Sequence, residues 1–431
     1  MEIDFSYGNT GLKITIADTF KTTVFRAGEN PSLEDPVNFI LAKLDHPMNS
    51  QPLHQLLDKK LKNNQDGEII ILIDDHTRPI SSKLFLDALS KVFLSKNIED
   101  EWVKILVSTG LHRNPSPIEL KRMLGDEHID RFDIIYHNAH NELELDLVGS
   151  TPSGNKIYLN SHYVQANFRI VTGYVEPHFF SGYSGGRKAV VPGIAGRSTI
   201  LYNHSAANID SPFARFGVLE KNKLHEEMIE ATRLLKPEFC INGVVNRNHD
   251  LTHVAAGNIF AVHNHLVHIQ QNDCFRQIPH KYDIVICGNG GYPSDLNLYQ
   301  SVKSMAIGEL ACKIGGVIIT ANECRDGVGQ DSFNSLINSG KSPKAIYENA
   351  LKGEIKIPDV WQIQVMARIL MRHSVYVVSS MKESDLGNTG LKYAQTVEDA
   401  LEYGLRELGK KASDISVLVL PDGHLVLPRN S

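Results

Sequence analysis

The segment from Gly173 to Ser205, GYVEPHFFSGYSGGRKAVVPGIAGRSTILYNHS, brings together side chains that could do chemistry. His178 and His204 could each exchange a proton near neutral pH or bind a metal ion. Lys188 follows a Gly-Gly-Arg turn, where glycines let the backbone approach a ligand and leave the lysine amine available for covalent attachment. Taken singly, the histidines could be structural and the lysine a solvated surface residue, so the segment alone leaves its chemistry open.

Neither of the two common nucleotide-binding loops is present in the sequence. A phosphate-binding Walker loop needs glycine before its lysine and a serine or threonine after it, whereas Arg187 precedes Lys188 and Ala189 follows it. The nearest dinucleotide-like run begins at Gly288 but has Pro293 where the third glycine should stand. The segment therefore needs another interpretation.

The elements that must position these side chains are predicted by alternating patterns. Short apolar runs rich in β-branched residues (EIIILIDD, WVKILVSTG, FDIIYHN, FRIVTGY, YDIVICGNGG, GGVIITANE, SVYVVSSM and ISVLVLPDG) alternate with amphipathic stretches such as SVKSMAIGELACKI. This alternation predicts an α/β protein with mostly parallel sheets and helices on both faces. Ligands of such sheets bind at the carboxyl ends of the strands, so those ends are the places to search.

Two of these strand ends carry further candidates. DDHTRP contains Arg78, whose planar fork suits a carboxylate or phosphate, although it could instead pair with Asp74 or Asp75. STGLHR contains His112, which could be a proton-transfer group or a structural histidine. The patterns alone do not decide between these possibilities.

A further strand end, GNGGYPSDLNLYQSVK, leads into a predicted helix. Tyr299 and Lys303 would share a face of its first turn, next to Gln300, which without other evidence is a helix surface with one aromatic residue. The most metal-like spacing in the chain joins His263, His265 and His268. Because it lies in an amphipathic pattern without a carboxylate partner and follows no strand end, we interpret it as core or solvated histidines.

Composition excludes several classes of protein. The chain has 431 residues and a formal net charge of −6, so it offers no basic surface for nucleic acid. Its first residues do not resemble a signal peptide, and no window reaches the roughly 18 apolar residues of a membrane span, so a cytoplasmic protein is expected. The five cysteines are odd in number and never spaced as CxxC, which favours reduced thiols over a thiolate zinc site.

The length allows two domains, and the run QIPHK suggests a connector near residue 276. We predict an N-terminal cofactor-binding and catalytic α/β domain of residues 1–275 together with 410–431, which assigns the last strand to the first sheet. A smaller α/β domain of residues 276–409 would follow.

The motifs DDHTRP, STGLHR, EPHFFSGYSGGRK, LYNHS and YQSVK occur in one order between Asp74 and Lys303, and in this combination the chain resembles the nickel-dependent lactate racemase family. The resemblance covers most of the length. It implies two Rossmann-like domains with the active site in the cleft between them. It also implies a nickel-pincer nucleotide cofactor made by separate enzymes, which would be partners in cofactor supply.

Residue roles follow from the resemblance position by position. Lys188 would be attached covalently to the cofactor through a thioamide, His204 would ligate nickel, and His112 and His178 would be the acid/base pair. Other positions would orient the substrate and belong to the cofactor pocket: Asp75, Arg78, Tyr299, Gln300 and Lys303. The implied reaction passes hydride from Cα of a 2-hydroxy acid to the cofactor and back through a 2-oxo acid, which avoids a carbanion beside an ionised carboxylate.

Three alternatives remain at the level of the sequence. The substrate could be lactate or another 2-hydroxy acid, including malate, an aromatic hydroxy acid or a sugar acid. The chain could be a non-catalytic nickel-cofactor-binding protein, although a carrier has no need of two proton shuttles. An NAD-dependent dehydrogenase is disfavoured by the missing dinucleotide fingerprint.

Overall fold

A computed structural model describes residues 1–61, 67–79, 82–355, 357 and 360–430 of the chain. In chain order its strands are β1 Glu2–Phe5, β2 Leu12–Thr15, β3 Lys21–Val24, β4 Ile69–Ile73, β5 Val103–Val107, β6 Asp133–Tyr136, β7 Leu145–Ser150, β8 Lys156–Asn160, β9 Phe168–Tyr174, β10 Pro177–His178, β11 Gly182–Tyr183, β12 Phe239–Val245, β13 Leu251–Gly257, β14 Phe275–Ile278, β15 Tyr282–Cys287, β16 Cys312–Ala321, β17 Ser374–Val378, β18 Lys392–Tyr393, β19 Ser416–Leu420 and β20 Leu427–Asn430.

The helices lie between these strands, as expected for an α/β chain. They are α1 Pro36–Asp45, α2 Leu53–Leu61, α3 Lys83–Ser95, α4 Pro117–Arg131, α5 Ser161–Gln165, α6 Arg187–Val190, α7 Arg197–Asn203, α8 Ala206–Asp210, α9 Lys223–Leu234, α10 Ile259–Cys274, α11 Leu298–Ala311, α12 Asp331–Ile337, α13 Pro343–Leu351, α14 Val360–Leu370 and α15 Val397–Leu408. Within the described ranges, no helix has the length and apolar character needed to cross a membrane.

The chain divides into two compact units, and one of them comprises residues 29–271. Its main sheet has the strand order β13-β12-β9-β4-β5-β6, in which every pairing is parallel except that of β12 with β13. All residues of β4 are buried, and the run IIILI is the near-continuous apolar pattern of a parallel strand covered on both faces. The sheet therefore forms the centre of this unit's core.

Helices α3 and α4 cover one flank of this sheet and fix the loops between its strands. The apolar residues Phe85, Leu89 and Phe93 of α3 are buried in the same core cluster as β4 and β5. Helix α4 begins with a capping box between Ser116 and Glu119, in which each side chain bonds to the backbone N–H of the other residue. This cap fixes the end of the loop that follows β5.

The other unit comprises residues 1–28 and 272–431. Its main sheet is parallel throughout and has the order β18-β17-β16-β15-β19-β3. Buried residues of β15, β16 and β19 form its core with the antiparallel hairpin of β1 and β2, among them Ile3, Phe5, Ile286, Ile319 and Val419. The N-terminal segment thus completes the core of the C-terminal sheet.

The predicted α/β class with mostly parallel sheets is confirmed, and each apolar run named from the sequence contains a strand. The placement of the last strand was wrong. Strand β19 pairs with β15 and β3 in the second sheet, where its Ser416 hydroxyl and backbone N–H both donate to the Asp283 carboxylate. The observed units therefore differ from the predicted limits at the N-terminus and at residues 410–431.

The five cysteines are free and buried, which agrees with the thiols expected from their odd number and spacing.

Candidate active site

The candidate site of the unit 29–271 lies where the order of its sheet reverses. The chain runs from β4 outward through β5 and β6 and then returns to β9 on the opposite side of β4. Such a switch point leaves a crevice at the carboxyl ends of the two central strands. Asp75 and Arg78 follow β4, His112 follows β5, and His178 follows β9.

Asp75 and His112 form a hydrogen-bonded pair at this point. The Nδ1 atom of His112 lies 2.5 Å from Oδ2 of Asp75, whose side chain is almost fully buried. The other carboxylate oxygen accepts hydrogen bonds from the hydroxyl and the backbone N–H of Thr77, at 2.6 and 3.1 Å. Burial alone would raise the pKa of Asp75, but His112 and Arg78 hold it well below its usual range.

The ionised carboxylate determines what the imidazole can do. A carboxylate only accepts hydrogen bonds, so Nδ1 of His112 carries the hydrogen and Nε2 is left to exchange a proton with a ligand. The Asp75 charge also stabilises the imidazolium that forms when Nε2 takes up a proton. The pair can therefore act as a general base.

Arg78 lies in a strongly acidic environment beside this pair. One of its guanidinium nitrogens donates to the Thr77 hydroxyl at 3.0 Å. Burial lowers the pKa of Arg78, but the nearby Asp75, Glu176 and Asp74 outweigh this effect and keep it above its usual range. Arg78 is therefore a permanent cation able to bind a carboxylate through its planar fork.

The ring of Phe180 brings three of the predicted site residues together. It meets the His178 ring edge-on with 4.5 Å between centroids, and the His204 ring edge-on with 5.1 Å. The Nζ atom of Lys188 lies 5.8 Å from the centre of the same ring. His178, Lys188 and His204, which the sequence placed in one segment, are thus also neighbours in space.

These residues fit the cofactor that the resemblance implies, because it requires a reactive amine and a neutral imidazole. His204 is buried, and burial together with the charge of Lys188 lowers its pKa to about 3, so the ring is neutral at physiological pH. Neutral imidazole is the form that binds metal. The described residues contain no group of three or more histidine, cysteine or acidic side chains able to hold a metal, so a metal at His204 would need ligands supplied with it.

The remaining predicted residues lie on the first turn of α11 in the other unit. Asn297 caps this helix by accepting from the backbone N–H of Gln300 at 2.9 Å. Tyr299 and Gln300 are buried, and the Tyr299 ring packs edge-on against Phe333. Lys303 is half-buried.

The interpretation of the histidine-rich helix α10 as structural is supported. His263 is buried and its Nε2 atom lies 2.9 Å from a guanidinium nitrogen of Arg187, whereas His265 and His268 are exposed. Sequence reasoning named Asp74 as a possible partner of Arg78, but it did not identify Glu176 or the role of Arg187. For Arg187, its position directly before Lys188 was the available signal.

An α/β fold whose switch point carries a carboxylate–histidine pair beside an arginine has groups able to transfer a proton and to bind an anion. The family models for the lactate racemase N-terminal domain and C-terminal domain match residues 7–217 and 278–427. The chain belongs to the lactate racemase family and is accordingly an isomerase of the racemase class.

Individual relatives agree with this assignment. The chain is 36% identical over 439 residues to a lactate racemase of Thermoanaerobacterium thermosaccharolyticum, with 99% of each chain covered. It is 36% identical over 390 residues to a lactate racemase of Lactiplantibacillus plantarum, with 88% of each covered.

Solved structures give the same result for the fold. The structure of the lactate racemase apoprotein from T. thermosaccharolyticum matches with a TM-score of 0.88 at 32% identity over 100% of both chains. A crystal structure of a Thermotoga maritima protein matches with a TM-score of 0.68 at 17% identity, covering 89% of this chain and 99% of that one, which shows similarity of fold alone.

Proposed function

We propose that this protein interconverts the D and L enantiomers of lactate, using a nickel-pincer nucleotide attached to Lys188. The observation that carries the proposal is the pair of Asp75 and His112 beside Arg78, in a chain 36% identical to two lactate racemases. The pair supplies a base and the arginine a binding site for the carboxylate. Together they match the two ends of a 2-hydroxy acid.

The physical difficulty of the reaction lies at Cα of the substrate. Removing its proton would place carbanion charge beside an ionised carboxylate, whereas removing hydride together with the hydroxyl proton leaves an uncharged ketone. When bound, the nickel-pincer nucleotide would supply reversible acceptance of that hydride. Lys188 would hold the cofactor through a thioamide, and His204 would give nickel its protein ligand.

The chain's own residues would handle the hydroxyl proton. His112 Nε2 takes it from one enantiomer, with Asp75 stabilising the resulting imidazolium, and His178 exchanges it with the other enantiomer. Two bases are needed because the hydroxyl of each enantiomer points to a different side. Arg78 would hold the carboxylate fixed while the planar 2-oxo acid rotates in the site.

Tyr299, Gln300 and Lys303 are proposed as further contacts to the substrate and the cofactor pocket. Their support is the resemblance of the YQSVK motif and their position on the capped first turn of α11, where the Asn297 side chain fixes the backbone at Gln300. Lys303 would supply a cation for an anionic ligand.

The test is to produce the protein together with the enzymes that make the cofactor, and to measure its intact mass, its nickel content and its activity. A chiral assay with lactate, malate, an aromatic hydroxy acid and a sugar acid identifies the substrate. The expected result is a mass increment absent from Lys188→Ala, about one nickel per chain as a single coordinating imidazole implies, and racemisation of lactate.

Two variants separate the proposed roles. His204→Ala is expected to lose nickel, and His112→Ala to keep nickel and the adduct but lose turnover. Racemisation of another panel member instead of lactate would change the substrate but keep the mechanism. Nickel binding without turnover of any panel member would favour a non-catalytic cofactor-binding role, and absence of both adduct and nickel would overturn the proposal.

A further inference from the structure

Arg187, the residue before the lysine of the proposed attachment site, is among the largest fully buried side chains of the described structure. Its guanidinium donates to three backbone carbonyls, those of Ser181 at 3.0 Å, Ser184 at 3.1 Å and Gly185 at 3.0 Å. These carbonyls belong to the loop that leads to Lys188. The Arg187 side chain therefore connects Ser181, at the start of this loop, with Gly185, near its end.

The guanidinium of Arg187 also contacts two imidazoles. Its Nε atom donates to Nδ1 of His225 on α9 at 3.1 Å, and one terminal nitrogen lies 2.9 Å from Nε2 of His263 on α10. Burial and the charge of Arg187 lower the pKa of His225 to about 3, and the pKa of His263 lies well below its usual value for the same reasons. Both rings are therefore neutral. Nδ1 of His225 accepts from the guanidinium, whereas Nε2 of His263 also lies 3.1 Å from the Ser184 carbonyl oxygen, to which it can donate.

This environment is unusual because no carboxylate among the described residues forms an ion pair with Arg187. Burial lowers the pKa of Arg187 to about 9, so the side chain is still charged near neutral pH. A buried arginine normally has an acidic partner, since an unpaired buried charge is costly. Here the hydrogen-bond geometry is satisfied entirely by carbonyls and imidazoles.

The turn held by Arg187 has a backbone conformation that depends on glycine. Gly185 and Gly186 have positive φ angles of 73° and 51°, and a Cβ atom on Gly185 would lie 2.6 Å from the Tyr174 carbonyl oxygen. The side chain of Asn242 accepts from the Gly186 N–H at 2.7 Å, and the Lys188 N–H donates to the Gly185 carbonyl at 3.1 Å. The turn is thus fixed on both sides immediately before Lys188.

We propose that Arg187 is a positioning residue for covalent attachment of the cofactor, because its fork holds the turn that aims the Lys188 amine. This inference rests on the proposed function. Forming a bond at an amine requires the reacting atoms within a narrow range of distance and angle, which a rigid support supplies in advance. Lysine at position 187 would keep a cation but could not bridge three carbonyls and two imidazoles at once.

The test compares Arg187→Lys with the wild type and with Arg169→Lys. Arg169 is a matched control, because it is also largely buried and donates to two carbonyls, those of Tyr163 and Val164, but it lies on β9 and pairs with Glu238. Each protein is produced with the cofactor-making enzymes, and the fraction carrying the adduct is followed by intact mass. For Arg187→Lys we expect attachment about ten- to a hundredfold slower, with Arg169→Lys near the wild type.

A second readout does not depend on the cofactor. The apoproteins are treated with acetic anhydride, and labelling of Lys188 is compared with that of the exposed Lys221 by peptide mass mapping. Release of the turn should raise relative labelling of Lys188 about fivefold in Arg187→Lys and leave it unchanged in Arg169→Lys. If Arg187→Lys does not fold, His225→Phe, which removes one acceptor of the guanidinium, is tested in the same way.

The two readouts separate the two proposals. A wild-type protein that never acquires an adduct overturns the proposed function, while the labelling experiment still tests the turn. Attachment and labelling at wild-type levels in a folded Arg187→Lys variant overturn the role assigned to Arg187. Equal effects in Arg187→Lys and Arg169→Lys overturn it as well, since they would reflect a general loss of stability.

Discussion

Asp75 and His112 come from neighbouring strands of one sheet, and their side chains meet at 2.5 Å between Oδ2 and Nδ1. Each follows the carboxyl end of its strand, so the pairing of β4 with β5 brings them together. Because Asp75 is also held by two hydrogen bonds from Thr77, the carboxylate has little freedom to turn away from the imidazole. The pair is thus fixed by the fold before any ligand binds.

Asp75→Asn should reduce kcat by about two to four powers of ten and change nickel content little. The neutral amide cannot stabilise an imidazolium at His112, and it can donate to Nδ1 and so favour the tautomer with hydrogen on Nε2. Steady-state kinetics of the cofactor-loaded variant, alongside its intact mass and nickel content, gives the measurement. A kcat within threefold of the wild type would show that Asp75 does not support the base.

Asp74 should make substrate binding depend on pH. Burial raises the pKa of Asp74 to about 7. The negative charges of Asp75 and Glu176 add to this rise, whereas the positive charge of Arg78 opposes it. As the pH rises through 7, this carboxyl ionises beside Arg78 and opposes binding of the substrate carboxylate. We therefore expect KM to rise above pH 7 and kcat to change less.

In Asp74→Asn the position is neutral at every pH, so the rise in KM above pH 7 should disappear. At pH 8.5 the variant's KM should be about three- to tenfold below that of the wild type. The side chains that face Asp74 from other positions, Tyr174, Glu176 and Cys240, are unchanged in this variant. Parallel KM profiles for the two proteins would rule out Asp74 as the titrating group.

Buried histidines should make the fold sensitive to acid. Burial lowers the pKa of His137 to about 4. Burial, with a smaller effect from the charge of Arg187, lowers the pKa of His225 to about 3. Both histidines would titrate near 6.5 in an unfolded chain. Below about 6.5 the unfolded chain binds more protons, so their contribution to stability is complete above that pH and is lost as the pH falls towards the folded pKa values.

The free energy of unfolding should therefore be nearly constant with respect to these groups above pH 6.5 and fall between about pH 6 and 4. Urea unfolding at several pH values measures the slope, and His225→Gln should reduce it. The exposed His140 supplies the control, since His140→Gln removes an imidazole that meets solvent in the native state. An unchanged slope in His225→Gln would contradict the prediction.

The elements could be predicted from the sequence where a local pattern determines them. Runs such as IIILI at β4 and YDIVIC at β15 are apolar and β-branched throughout, and both form buried parallel strands. The partner of a strand is not a local property. Strand β19 has the same kind of pattern, and only its contacts with Asp283 and β3 in the folded chain assign it to the second sheet.

The candidate site residues divide in the same way. His112, Lys188 and Arg78 could be named because they follow strands or glycines, where side chains reach a ligand. Arg187 could not be named, because an arginine in a sequence is normally predicted to lie on the protein surface. Its burial depends on carbonyls and imidazoles that α9, α10 and the glycine turn place around it.

Gly185→Ala, in the turn before Lys188, should lower the free energy of unfolding far more than the matched substitution Gly154→Ala. Gly154 in the same unit also has a positive φ, but an added Cβ there would meet only the Tyr202 hydroxyl, at 3.8 Å. Gly154→Ala should therefore show only the cost of the backbone conformation, about 1 kcal/mol. Gly185→Ala adds overlap with the Tyr174 carbonyl and should cost about 3 kcal/mol or more.

Urea unfolding of the two apoproteins tests this difference, and intact mass after production with the cofactor-making enzymes tests its consequence. Because the Gly185 carbonyl also accepts from Arg187, a displaced turn should lower the adduct fraction at Lys188 in Gly185→Ala but not in Gly154→Ala. Equal losses of stability in the two variants would mean that the turn can shift to accept a methyl group. In that case the close approach of Gly185 to Tyr174 would not be what holds Lys188 in place.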